Sequence, residues 1–303
     1  MTTLTAVITC YREGELIYNA LNSLFNQTDC DFDIIVVNGC SPDEATNRVC
    51  HEIEYSKKAK VIFEKVNNGM GISRNTAFEE MTSEVAVFLD ADDTLPLDAI
   101  ENIRKTFDQY PDADFVFGNY IVNYIEKNTT ETVVCSILTD TNGKLSPIKL
   151  ANNWKLIGSS PCKKSLWQKI GGYALEFSNT TNDVDFWQRA ILVGGVGYYV
   201  NSEIYLWNRS IHGLNSSKAF SMALDSCLYK NIDFVILYSN IYKEGFNIAL
   251  KNKNYAKIKQ WAVHEISSKK HCTFLATIFY LCPLFLLPLL TNIFLIAKKI
   301  IKK

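Results

Sequence analysis

Asp90, Asp92 and Asp93, interrupted only by Ala91, close the apolar run VAVFL at 85–89. In an extended chain residues i and i+2 point the same way, so Asp90 and Asp92 offer two carboxylates on one side. Crowded carboxylates repel unless a cation or ligand offsets them. Hard divalent ions such as Mn2+ or Mg2+ prefer oxygen ligands and often share them with phosphates. The triplet reads either as a clamp for a metal and a diphosphate, or as a solvated acidic turn before a helix near Pro96.

The surrounding elements decide where such a turn would sit. Residues 4–10 and 85–89 are apolar and β-rich, and FDIIVV at 32–37 is a continuous apolar run of the kind found in buried parallel strands. Residues 61–63 and 115–124 also read as strands. Helical spacing marks 16–26, 72–81 and 97–110 between them. Ser41, Pro42 and Glu44 resemble a helix start, with Ser41 as cap and Glu44 as capping-box acid. Strands alternating with helices predict an α/β fold with a doubly wound, mixed and mostly parallel sheet. Ligands of such sheets bind beyond the carboxyl ends of the strands, where the acids lie. After Asn128 the pattern loosens into a mixed region that runs to about residue 215.

Several short segments resemble family 2 glycosyltransferases, which have the GT-A fold. Asp90-Ala91-Asp92 resembles their D-x-D motif. Ile8-Thr9-Cys10-Tyr11-Arg12-Glu13 is similar to their first-strand segment, and Ser23-Leu24-Phe25-Asn26-Gln27-Thr28 to their S-x-x-x-Q-T helix end. Residues 35–43 resemble the V-D-[DG]-x-S-x-D turn, and Asn67 to Asn75 the N-x-G-x-x-x-x-R-N segment. Gly171-Gly172-Tyr173 and Asn182-Asp183-Val184-Asp185-Phe186 resemble the G-G-[FY] and E-D-x-D-[FL] segments. Their common order over about residues 4–215 carries the resemblance.

The resemblance implies a nonprocessive transferase that moves one sugar from a nucleotide-diphosphate donor to an acceptor hydroxyl, with inversion. It implies that Thr9, Tyr11, Glu13 and Asn38 line a nucleoside pocket. Asn38 stands where the family usually has Asp, and it also suits a turn. Gly69 and Gly71 would let the backbone approach the donor. Arg74 would pair with the diphosphate, or decorate a helix surface. Asp90, Ala91 and Asp92 would meet the donor, with Asp90, Asp92 and His212 as ligands for Mn2+ or Mg2+. His212 follows a segment similar to the family's Y-R-x-H, and a structural role is its alternative. Asp183, capped by Asn182 or Thr181, falls in the first turn of a helix carrying Phe186, Trp187, Ala190 and Ile191. It is the candidate general base, with Asp185 in reserve, or it merely complements the helix dipole. Asn182 departs from the family's Glu.

The 303 residues carry a formal net charge of −1, so no overall basic field points to nucleic acid. Nine cysteines without C-x-x-C spacing predict reduced thiols rather than a disulfide or zinc framework. The start of the chain predicts no signal peptide. From Cys272 to Ala297 no charged residue occurs, and lysines flank the stretch on both sides. It reads as a membrane-associating segment, interrupted by Pro283 and Pro288, or as a buried core helix. The expected organisation is a GT-A transferase domain at 1–215, a helical C-terminal extension at 216–271 and an apolar, membrane-associating tail at 272–303. The acceptor is expected to be a glycan or a lipid-linked glycan of surface polysaccharide or lipopolysaccharide, at the cytoplasmic face of the cell membrane. A membrane-tethered nucleotide-sugar binding protein without turnover is the alternative. Motifs for a nucleotidyltransferase loop, a dinucleotide fold, a P-loop and the Q-x-x-R-W of processive synthases are absent.

Overall fold

The computed structural model describes residues 1–211, 218–238, 242–267, 274–282, 286–292 and 294. They form two compact units, Met1–Leu224 and Asp225–Lys303.

The first unit is built on an eight-stranded sheet: β1 Leu4–Cys10, β2 Asp33–Asn38, β3 Lys60–Phe63, β4 Val85–Asp90, β5 Phe115–Tyr124, β6 Thr129–Val133, β7 Cys162–Lys163 and β8 Gly197–Arg209. Their order is β3-β2-β1-β4-β7-β5-β6, with β8 paired to β5. β1 runs parallel to β2 and β4, and β2 parallel to β3. The two-residue β7 is antiparallel to both β4 and β5. β4 and β5 therefore run the same way, and β8 runs parallel to β5. All seven residues of β1 are buried, as a strand covered on both faces requires. The mixed, mostly parallel α/β sheet expected from the sequence is thus present.

Helices α1 Leu16–Phe25, α2 Glu44–Ser56, α3 Met70–Glu80 and α4 Ala99–Gln109 alternate with the first strands, and α5 Pro147–Asn152, α6 Lys164–Ile170 and α7 Asn182–Leu192 follow. α1 buries Ile17, Ala20, Leu21 and Leu24, one helical stripe. The cap of α2 differs from expectation. Asp43 accepts from the Thr46 amide (2.9 Å), while Ser41 donates to Asp43 (2.5 Å). A carboxylate one turn ahead of the amides is the stronger acceptor.

α8 Lys218–Lys230 spans the boundary between units, and α9 Ile232–Tyr238, α10 Tyr242–Lys251, α11 Tyr255–Ser267 and α12 Phe274–Leu281 lie in the second. Ile232, Ile236, Phe246, Ile258 and Trp261 share one core with Ala276, Phe279 and Leu287. The helical extension and the apolar stretch therefore bury their side chains together. Among the described residues, no helix is long and apolar enough to cross a membrane.

Candidate active site

Sheet register gathers the expected residues at the carboxyl ends of the strands. Thr9 lies beside Asp90 across β1 and β4, and Cys10 beside Asn38 across β1 and β2. Thr9 is buried, and its Oγ1 has no partner. An orphaned hydroxyl of this kind is costly unless a ligand completes it. Asn38 is also buried, but its amide is engaged: Nδ2 donates to Asn47 (2.9 Å) and Oδ1 accepts from the Ser41 amide (2.8 Å). Tyr11 stays partly exposed at the mouth.

Just after β1 the chain turns sharply. Arg12 takes φ +74°, and its amide donates to Ser41 (3.0 Å). Glu13 folds back to accept from the Tyr11 amide. Burial, then the nearby charges of Asp92 and Asp90, push its carboxyl up to about 7. Asp92 keeps an exposed edge, yet the protein packed around its carboxyl first and the Asp90 charge second push it up to about 6. The three acids thus crowd one another.

The acidic turn is held from behind by β8. The Tyr205 hydroxyl donates to Asp93 (2.8 Å) and accepts from the Asp90 amide (3.1 Å). The Asn208 amide donates to Asp93 (2.7 Å), and its side chain to the Asp92 carbonyl (2.7 Å). Asp93 is buried, and burial first, then the charges of Asp90 and Asp92, push its carboxyl up to about 9. Ala91 is buried between them. The hold that Tyr205 and Asn208 take on the acidic turn was not anticipated, because they lie more than a hundred residues from it in sequence.

Arg74 is placed differently from expectation. It is 2% exposed, and its Nη2 donates to Asp90 (2.8 Å) and Ser159 (2.9 Å), while Nη1 reaches Asn182 (3.4 Å). Its guanidinium also lies over the rings of Phe88 (5.1 Å) and Tyr173 (5.7 Å). Its charge is therefore spent inside the protein on Asp90, not on open space. The neighbouring Asn75 fixes Tyr173, accepting from its amide (2.8 Å) and donating to its carbonyl (2.9 Å).

Gly69 and Gly71 also serve a contact other than the one expected. Gly69 sits at φ +87°, and a Cβ there would fall 2.4 Å from Asn179 Oδ1. The Gly71 amide donates to the Ser178 carbonyl (3.2 Å), and the Ile72 amide to Ser178 Oγ (2.9 Å). The glycines thus admit the segment leading into α7, which closes the amino end of α3.

Asp183 opens α7 and keeps partial exposure. Burial raises its carboxyl above the usual range, and the Arg74 charge opposes that shift. Thr181 precedes the helix without a side-chain cap bond, and its Oγ1 is buried and unpartnered. Asp185 is fully buried and paired with Arg189 (2.5 Å), so it offers no carboxylate to a cleft. Asp183 is left as the acid able to face a substrate on this helix.

Two carboxylates from the acidic turn, with Glu13 nearby, form a hard oxygen donor set of the kind a divalent ion completes with phosphate oxygens. Among the described residues, no group of three or more His, Cys, Asp or Glu is arranged to hold a metal by itself. His212, the third expected ligand, lies outside the described residues. A cavity of about 590 Å3 lined by Thr5, Asp33, Lys57 and Lys60 opens at the opposite, amino ends of the strands and has no part in this arrangement.

The fold is similar to that of TarS from S. aureus, with a TM-score of 0.61 and 16% identity over 88% of this chain and 73% of that one. A TarS structure in complex with UDP-GlcNAc gives a TM-score of 0.60 at 17% identity, over 87% of this chain and 80% of that one. Glycosyltransferase GlyA of Streptococcus pneumoniae is 30% identical over 117 residues, 39% of this chain and 16% of GlyA. An uncharacterized glycosyltransferase of Haemophilus influenzae is 28% identical over 186 residues, 60% of each protein. The chain thus spans less than two thirds of the length of these two curated relatives. The family model "Glycosyl transferase family 2" matches residues 5–169, which hold the acidic turn, Arg74 and the first four parallel strands. With the motifs in order on that sheet, the chain belongs to glycosyltransferase family 2.

Proposed function

We propose that this chain is a nonprocessive, inverting glycosyltransferase that takes a nucleotide-diphosphate sugar as donor. The single observation that carries the reading is the convergence of Asp90, Asp92 and Arg74 at the same end of the sheet, with Arg74 linking Asp90 to the start of α7, where Asp183 stands. Thr9, Tyr11, Glu13 and Asn38 receive the nucleoside. The UDP-GlcNAc complex of TarS supports a uridine-linked sugar as the donor class.

Asp90 and Asp92 would hold Mn2+ or Mg2+, which when bound would supply charge stabilisation for the departing diphosphate. Asp183 accepts the proton of the acceptor hydroxyl as that oxygen attacks the anomeric carbon. The bond from this carbon to the phosphate oxygen breaks, and its electron pair leaves with the nucleoside diphosphate. Attack from the face opposite the leaving group inverts the carbon. His212 is a further candidate ligand.

The acceptor reading is a glycan or lipid-linked glycan of surface polysaccharide or lipopolysaccharide. The transferase domain at 1–215 carries the chemistry, and residues 216–271 extend it. The apolar stretch from 272 touches the inner face of the cell membrane. Exposed Leu281, Leu286 and Leu289, followed by Lys298, Lys299, Lys302 and Lys303, support that contact.

The test is release of nucleoside diphosphate from a panel of nucleotide sugars, with acceptor, Mn2+ and EDTA arms. Transfer should vanish with EDTA and in Asp183→Asn, while Asp183→Asn keeps donor affinity. Metal-independent transfer, or wild-type turnover in Asp183→Asn, refutes the assignment. Donor binding without any turnover would instead mark a binding protein.

A further inference from the structure

We propose that Gly158 is a positioning residue, whose bare Cα is what lets Asp183 hold its carboxylate in the cleft. The inference rests on Asp183 being the base. A Cβ built on Gly158 would fall 2.5 Å from Asp183 Oδ2, 2.8 Å from its Cβ and 2.9 Å from its Cγ. Contact with Cβ as well as with the oxygen means that turning the carboxylate about its last bond does not relieve the clash. The glycine is not there for its backbone, because Gly158 lies outside the left-handed region that Gly69, Gly143, Gly171, Gly172 and Gly194 occupy. The need is for space beside one side chain.

The segment carrying Gly158 is tied in place on both sides. Trp187, fully buried four residues after Asp183, donates its Nε1–H to the Gly158 carbonyl (3.1 Å). Residues i and i+4 of a helix share a face, so Asp183 and Trp187 meet this segment together. Ser159 Oγ accepts from Arg74 (2.9 Å), and Ser160 folds its amide (3.1 Å) and hydroxyl (2.8 Å) back onto the Ile157 carbonyl. Ser159 and Ser160 are both buried. A methyl at position 158 therefore moves Asp183 rather than the segment. Asp90, Arg74, Ser159 and Gly158 form a continuous path from the donor-side acid to the base.

The experiment compares Gly158→Ala with Asp183→Asn and wild type, measuring kcat, donor KM, nucleoside diphosphate affinity by calorimetry and thermal midpoint. Displacing a base by about an ångström costs on the order of a hundredfold in rate. Gly158→Ala is expected to lower kcat about tenfold to a hundredfold, with donor KM and diphosphate affinity within about twofold of wild type. Wild-type kcat in Gly158→Ala beside an inactive Asp183→Asn overturns the proposal, as does a loss of nucleoside diphosphate affinity as large as the loss in kcat. An active Asp183→Asn refutes the base assignment itself. If Gly158→Ala does not fold, Trp187→Phe, which keeps the bare Cα but unties the carbonyl, should lower kcat with donor affinity held. Unchanged kcat in that variant then overturns the proposal.

Discussion

Raising the pH from 5 to 7 should tighten binding of Mn2+ with a nucleotide sugar about tenfold. The cause is Asp92, whose carboxyl the protein packed around it and the Asp90 charge push up to about 6. Only its ionised form ligates a cation. A group titrating near 6 is about one-eleventh ionised at pH 5 and about ten-elevenths ionised at pH 7, a ratio of about ten. Glu13, pushed up to about 7, extends the rise towards pH 8. The assay is titration calorimetry with Mn2+ and UDP-GlcNAc at pH 5, 6 and 7. The intact nucleotide sugar carries no phosphate that titrates in this window, so the linkage belongs to the protein. Two buffers of different ionisation heat should report about half a proton released at pH 6 from Asp92 alone. Equal affinities at pH 5 and 7, with heats independent of buffer, would refute the crowded-acid reasoning.

Arg74→Met should cost about 3–5 kcal/mol in urea unfolding, because it leaves Asp90 without its buried cation; a loss below about 1 kcal/mol would contradict the pairing. Asp93 binds a proton more tightly folded than unfolded, since burial lifts it from 3.8 to about 9. Its contribution to stability therefore falls as pH rises between those values. Asp93→Asn, which does not ionise, should flatten the decline of the metal-free thermal midpoint between pH 5 and 9, read by scanning calorimetry.

β1, β4 and β5 were legible because buried strands write continuous apolar runs, and the acids at 90 and 92 because a strand end directs alternate residues together. β7 was not legible, since two residues, Cys162 and Lys163, carry no period. Nor was the support behind the acidic turn. The hydrogen bonds of Tyr205 and Asn208 to residues 90–93 leave no local signature in either segment. Arg74 was readable as a candidate site charge, yet its direction depended on partners from β4, the Ser159 loop and α7. Periodicity in its own helix could not reveal them. At the other end of the chain, the apolar run was visible, but its packing was not. Phe279 and Leu287 are buried against Phe246 and Trp261, so hydropathy along the run overstated how much of it faces outward. The motif order named Asp183 as the candidate base, while the demand for space at Gly158 emerges only when two distant segments meet.

The two-residue β7 has a consequence for engineering. Cys162 is the backbone partner of Ala86 on one side and Phe115 on the other, so it stitches the half of the sheet that ends in the acidic turn to the half that precedes α7. The gap beside β4 closes only after the chain has passed through β5 and β6 and come back. A chimera that swaps everything beyond β4 to change acceptor preference must therefore import this stitch in register, or its two halves will share a chain without sharing a sheet.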